Sequence, residues 1–179
     1  MNAAESLGRE DAVRRCGVLR RFRDDAAGAT AIEFAIVALP FFTLMFAIIE
    51  TAIVFFAGQA LETATADAAR LIMTGQAQQQ NFSQDQFRQQ VCDRMRGLID
   101  CEALKVDVRT YAAFAGSAPR PDEDEQPQYA PGIGGDIVVV RASYEWPLVT
   151  SLVGLSLADR PDGKRLIAAT AAFRNEPFE

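Results

Sequence analysis

From Phe34 to Ile49 the chain runs for 16 residues without a charge, and beyond Glu50 the stretch Thr51 to Gly58 adds 8 more. Ala, Ile, Leu, Met and Phe dominate this run, and they supply both helix propensity and transfer energy into hydrocarbon. A bilayer core of about 30 Å needs about 20 helical residues. The region 32–58 therefore predicts a transmembrane helix, with Glu50 accommodated near an interface or by a partner. A buried helix of a soluble fold would have to hide apolar side chains on every face, and so small a remainder could not cover them.

Past the apolar run the periodicity changes. Leu61, Thr65, Ala68 and Ile72 recur at helical spacing with Glu62, Asp67 and Arg70 between them, which predicts an amphipathic continuation of the same helix. Gly75 and the run Gln76, Gln78, Gln79, Gln80 end that pattern and read as a hinge or loop. A second amphipathic helix is expected from Ser83, its N-cap, with Gln86 three residues on, an apolar face of Phe87, Val91, Met95 and Leu98, and an end near Asp100. Alternation and β-branched content then predict strands at about 104–111, 136–146 and 165–173, the last Ala-rich. An exposed loop marked by Pro119, Pro121, Pro127 and Pro131 separates the first two across 115–135. The expected fold class is α+β: a long N-terminal transmembrane helix with an amphipathic extension, followed by a small α+β head.

Charge orients this architecture. The net charge is −6, yet residues 1–28 carry six Arg against five acids, net +1, leaving −7 for the remainder. Basic residues stay on the cytoplasmic side, so the N-terminus is expected in the cytoplasm and the head outside it, in the periplasm of a double-membrane bacterium. The Arg-rich start reads as a solvated tail. A cleaved secretory signal has the same general shape, but its leader would be unusually long, its apolar core too long, and Ala60 a poor cleavage point. The acidic balance argues against nucleic-acid binding, which needs a clustered basic surface.

The segment from Gly28 to Gly75 resembles the TadE-like family of pilus-assembly proteins. The features that carry the resemblance are Gly28, Glu33 after four intervening residues, Pro40 within the apolar run, Ile49-Glu50, and Ala68-Ala69-Arg70 closing an Ala-rich helix. They cover about a quarter of the chain and leave the head unidentified. The resemblance implies a pilin-like architecture, and in some members processing by a membrane prepilin peptidase that cuts after a Gly. Carried onto this chain, the cut falls between Gly28 and Ala29, leaving Glu33 as the fifth residue of the product. The next residue, Phe34, stands where the family often has Tyr. The domains so implied are a cytoplasmic basic leader (1–28), a transmembrane helix and stalk (29–75) and a periplasmic head (76–179).

Each special residue of the segment has two readings. An unpaired carboxylate at the edge of an apolar helix costs several kcal/mol to bury. Glu33 accordingly either marks the membrane boundary or, as the resemblance implies for pilins, meets the free N-terminal amine of a neighbouring subunit. Glu50 lies 17 positions on, about 25 Å along the axis and about 100° around it, so the two carboxylates do not share a face. Glu50 is either at the outer interface or in a helix-packing contact within an assembly. Pro40 removes a backbone hydrogen bond, giving a static kink or a soft point that lets the helix repack.

Cysteine and histidine usage narrows the chemistry. With no His in the chain, His-activated nucleophiles and His-ligated metals are excluded. Outside the cytoplasm Cys92 and Cys101 are expected to form a structural disulfide, with a pair of free thiols as the alternative, while Cys16 stays reduced or leaves with the leader. The acidic run Asp122 to Glu125 reads as a solvated loop in preference to a cation site. No metal, cofactor or catalytic residue is expected. The function expected is a non-enzymatic, membrane-anchored component of Tad (Flp) pilus assembly, a minor pseudopilin. Its partners would be the inner membrane, other pilins or pseudopilins, Tad assembly proteins and a prepilin peptidase. The alternatives are an uncleaved bitopic protein whose head binds an envelope partner and, far behind it, a tethered hydrolase, for which no motif appears.

Overall fold

A computed structural model describes residues 28–95, 97–113, 126–149 and 157–178. Helix α1 spans Ala29–Met73 and is followed by α2 (Gln76–Gln79), α3 (Gln84–Arg94), β1 (Lys105–Tyr111), β2 (Ile137–Pro147), a 3-10 turn at Pro161–Gly163 and β3 (Lys164–Arg174). The architecture is thus a long apolar helix and a three-stranded antiparallel sheet with helices, as the α+β expectation requires. The chain divides into two compact units, one ending at Phe46 and the other beginning at Ala47.

In the first unit, the part of α1 up to Phe46 displays its large apolar side chains on all sides. Ile32, Phe34, Ile36, Val37, Leu39, Phe41, Leu44 and Phe46 are all exposed. The helix runs through Pro40. One turn beyond it, the Thr43 hydroxyl donates to the Leu39 carbonyl at 2.8 Å.

In the second unit the remainder of α1 becomes one-sided. Val54, Ala57, Leu61, Ala64, Thr65, Ala68, Ala69 and Ile72 are buried, a stripe at three- and four-residue intervals. They share one core with Phe87 and Val91 of α3 and with Val106, Val108, Val138, Val140, Ala142, Ile167 and Ala169 of the sheet. Thr65, the buried polar member of the stripe, is satisfied by donating to the Leu61 carbonyl at 2.7 Å.

The strands lie in the order β1-β2-β3, with Val106 opposite Ala142, Val108 opposite Val140, and Ala142 opposite Ala169. Directly opposed residues share a face, so this set lines the core while Asp107, Arg141 and Thr170 occupy the other face. Ala169 belongs to the same buried core as Ala57, Ala64 and Ala68 of α1.

Two expectations need correction. The Gln run after Gly75 is not all loop: Gln76–Gln79 makes one helical turn, started by Gly75 in the left-handed conformation (φ 77°). Helix α3 begins as read, with the full capping box between Ser83 and Gln86, but it ends at Arg94 instead of near Asp100. Met95 turns its N–H onto the Cys92 carbonyl and Gly97 takes φ 85°, which stops the helix. The segment 126–135 is a partly exposed loop, as expected, and it is anchored. Val108 N–H donates to the Gln128 carbonyl at 2.8 Å, and Ala130 N–H to the Val108 carbonyl at 2.9 Å, so Gln128 to Ala130 borders the edge of β1. The run Asp122 to Glu125 lies outside the described residues.

Candidate functional site

The residues singled out in the sequence fall into three places. Gly28 is exposed, and a Cβ built on it meets nothing within 4 Å. Ala29, next in the chain, is the first residue of α1. Glu33 follows one turn later with its side chain exposed. Glu33 and Pro40 both belong to the all-apolar part of the helix, where neighbouring exposed residues leave them available to molecules outside the chain.

Glu50 has a different setting. It is half-buried, and its carboxylate accepts a hydrogen bond from the backbone N–H of Val149, just past the end of β2. The sequence reading had no means to find this partner, which lies 99 residues away. The contact ties the end of β2 to the helix within the second unit. Immediately behind it come Trp146 and Tyr144, whose rings meet edge to face at 6.2 Å. Leu148 is buried and its N–H donates to the Gly163 carbonyl, while Val149 is 74% exposed.

Cys92 and Cys101 are joined by a disulfide across a Cα separation of 5.6 Å. Cys92 is fully buried, so the bridge pins the turn that follows α3 to the core from which β1 departs. Nearby, Tyr129 packs on Phe87 with ring centroids 5.8 Å apart. Burial pushes its phenol up to about 12, and the hydroxyl has no hydrogen-bond partner among the described residues.

A further cluster was missed by sequence reasoning. The C-terminal residues fold back over the end of α1: Glu176 N–H donates to the Met73 carbonyl at 2.9 Å, and the Phe178 ring lies over Gly75. The side-chain amides of Asn175 and Gln78 both donate to the Pro131 carbonyl, at 2.9 and 3.0 Å. The signal available in the sequence was the pairing of a helix-ending Gly with an apolar residue near the terminus, too common to be read alone. No group of three or more acidic or Cys side chains able to hold a metal occurs among the described residues.

Among the described residues one helix is long and apolar enough to cross a membrane, and none of its most apolar window is buried. Such a helix fits a membrane-anchored pilus component. A family model described as TadE-like protein matches residues 28–70, beginning at Gly28 and ending at Arg70. No curated protein and no solved structure matches the chain. The match falls on the apolar helix and its amphipathic continuation, the same residues that carry the resemblance noted from the sequence. Over residues 28–70, about a quarter of its length, the chain is similar to the TadE-like family.

Proposed function

We propose that the protein is a minor pseudopilin of a Tad pilus, held in the inner membrane by α1 with its head in the periplasm and processed between Gly28 and Ala29. The observation that carries the reading is the coincidence of the TadE-like match, residues 28–70, with a helix whose apolar surface is uncovered on all sides before Phe46. Such a surface is stable only in lipid or against other apolar helices. Those two environments are the ones a pilin-like subunit occupies before and after assembly. In the first, Glu33 stands at the cytoplasmic boundary; in the second, it meets the amine that cleavage creates on Ala29 of a neighbouring subunit. Pro40 gives the helix a soft point for the transfer.

Mass spectrometry of the protein from piliated cells tests the reading. The mature chain is expected to begin at Ala29. A Cβ at position 28 meets nothing within 4 Å, so Gly28→Leu brings no clash at that atom and should abolish processing and lower piliation. Intact Met1 in assembled material, or a Gly28→Leu variant with unchanged size and piliation, overturns processing. Those outcomes favour an uncleaved bitopic protein with a partner-binding head. Recovery of the full chain from the soluble fraction overturns the membrane anchor.

A further inference from the structure

The two edges of the sheet differ in how their backbone groups are met. In an antiparallel ladder alternate residues turn their N–H and C=O toward the neighbouring strand, and the others turn them away. On β1 the outward residues find partners. The Val106 carbonyl accepts from the Gln84 side chain at 3.0 Å, and Val108 is bonded through its N–H to Gln128 and through its C=O to Ala130. On β3 the sense is fixed at both ends. Asn175, next after the strand, donates its N–H to the Asp136 carbonyl, so the odd-numbered residues face β2. Lys164 and Leu166 face away: the Lys164 carbonyl accepts from the N–H groups of Asp159 and Arg160, and Leu166 N–H donates to the Asp159 carboxylate at 2.8 Å. Beyond them the outward residues are Ala168, Thr170 and Ala172. All three are exposed, and among the described residues no hydrogen bond meets their N–H or C=O.

This stretch of edge also lacks the features that keep sheet edges from pairing. β3 runs for 11 residues in unbroken register with β2, without a bulge, and from Leu166 to Phe173 it holds neither a charge nor a Pro. The N–H and C=O groups of Ala168, Thr170 and Ala172 form one row at the strand repeat. An extended polypeptide presents donors and acceptors at the same spacing, so the chemistry of the row names the class of its occupant. Size and charge narrow it. The outer-face side chains along the row are small, and on the core face Ala171 and Phe173 are only partly covered. A second β3 would set small residues opposite small ones, whereas a strand with β-branched or aromatic residues gains more from the cross-strand pairs. The row offers no counter-ion to a charge on its partner.

From this we infer that the free edge of β3 is a docking edge for a β-strand of another polypeptide. The partner strand is uncharged where it meets Ala168 to Ala172 and carries bulky side chains at alternate positions. Its backbone bonds to the outward groups of Ala168, Thr170 and Ala172 and adds a fourth strand to the sheet, while its side chains on the core face cover Ala171 and Phe173. The inference concerns the head alone and stands whether or not the Gly28–Ala29 bond is cut.

Amide hydrogen exchange, read by NMR on the full-length protein in detergent micelles with isotope-labelled Ala and Thr, tests the inference. In the isolated protein the amides of Ala168, Thr170 and Ala172 should exchange freely, while those of Ala169 and Ala171, which face β2, stay protected. The probe is an N-acetylated, C-amidated peptide, Ser-Thr-Val-Thr-Tyr-Thr-Val-Thr-Ser. At about 1 mM it should slow the three outward amides about tenfold, and the same peptide methylated on each backbone nitrogen should not slow them. Thr170→Pro removes an outward N–H and no bond to β2, so it should keep the protection of Ala169 and Ala171 and weaken the peptide about tenfold. Ala168→Lys, which leaves every backbone group in place, should weaken it as well. Outward amides that the peptide leaves unslowed overturn the inference. Amides already protected in a monomer overturn it in favour of cover from the chain itself, and amides protected in a dimer, identified by light scattering, overturn it in favour of a second copy.

Discussion

Reducing the disulfide between Cys92 and Cys101 tests how the head is held. The bridge closes a sequence separation of 9 and is fixed to the core through the fully buried Cys92. Loop-closure entropy for a loop of that size gives about 2.6 kcal/mol at 25 °C, on the chain-entropy account. For a folding unit as large as 47–179 a change of this size lowers Tm by about 8–10 °C. The assay is thermal unfolding of the detergent-solubilised protein by circular dichroism, with and without reductant. The Cys92→Ala, Cys101→Ala protein serves as the control, since its Tm should already be low and should not respond to reductant. An unchanged Tm on reduction, with both thiols shown to be free by alkylation, refutes the reasoning: the turn between α3 and β1 would then be held by packing alone. A confirmed loss explains why such a head needs an oxidising compartment to reach full stability.

Three other outcomes follow from particular contacts. Gly75→Ala places a Cβ 2.6 Å from the Phe178 ring at a φ of 77°, and should cost about 1–2 kcal/mol in denaturant unfolding from the left-handed backbone alone; adding Phe178→Ala relieves the clash and leaves that backbone part. Ser83→Ala removes half of the capping box on α3 and should cost about 1 kcal/mol, read by the same denaturation midpoint. Tyr129 holds its proton to about 12 in the folded protein against 10.0 as the ordinary value. The folded state therefore binds more protons than the unfolded one between those values, and stability that is full below pH 10 falls as pH rises toward 12. Phenolate absorbance should show one of the three tyrosines titrating late, and Tyr129→Phe should abolish that step without loss of stability, because the hydroxyl has no partner among the described residues.

The elements themselves were largely legible. Apolar side chains on every face of 32–58 read as a membrane helix because no arrangement of so short a remainder covers them. The spacing of Leu61, Thr65, Ala68 and Ile72 marked the face that the structure buries, and Ser83 with Gln86 marked the start of α3. The strands were found within a residue or two of their ends, since alternation of Val with polar residues over β1 is local information. The end of α3 was overrun because Leu98 continued the apolar period, whereas a single left-handed Gly97 decides where the helix stops.

Pairings between distant parts of the chain were not legible. Periodicity reports which face of an element is apolar, and says nothing of what meets it. The burial of Ala169 in one core with the Ala-lined stripe of α1 followed only from the structure. The border of β1 by Gln128 to Ala130, the Phe178 ring over Gly75, and above all the Val149 N–H on Glu50 join residues tens of positions apart. The sequence alone determined that α1 is long and apolar enough to cross a membrane, because transfer into hydrocarbon depends on composition summed along a helix. Only the tertiary structure decided that Glu50 belongs to the head, because a hydrogen bond between remote residues depends on how the chain closes.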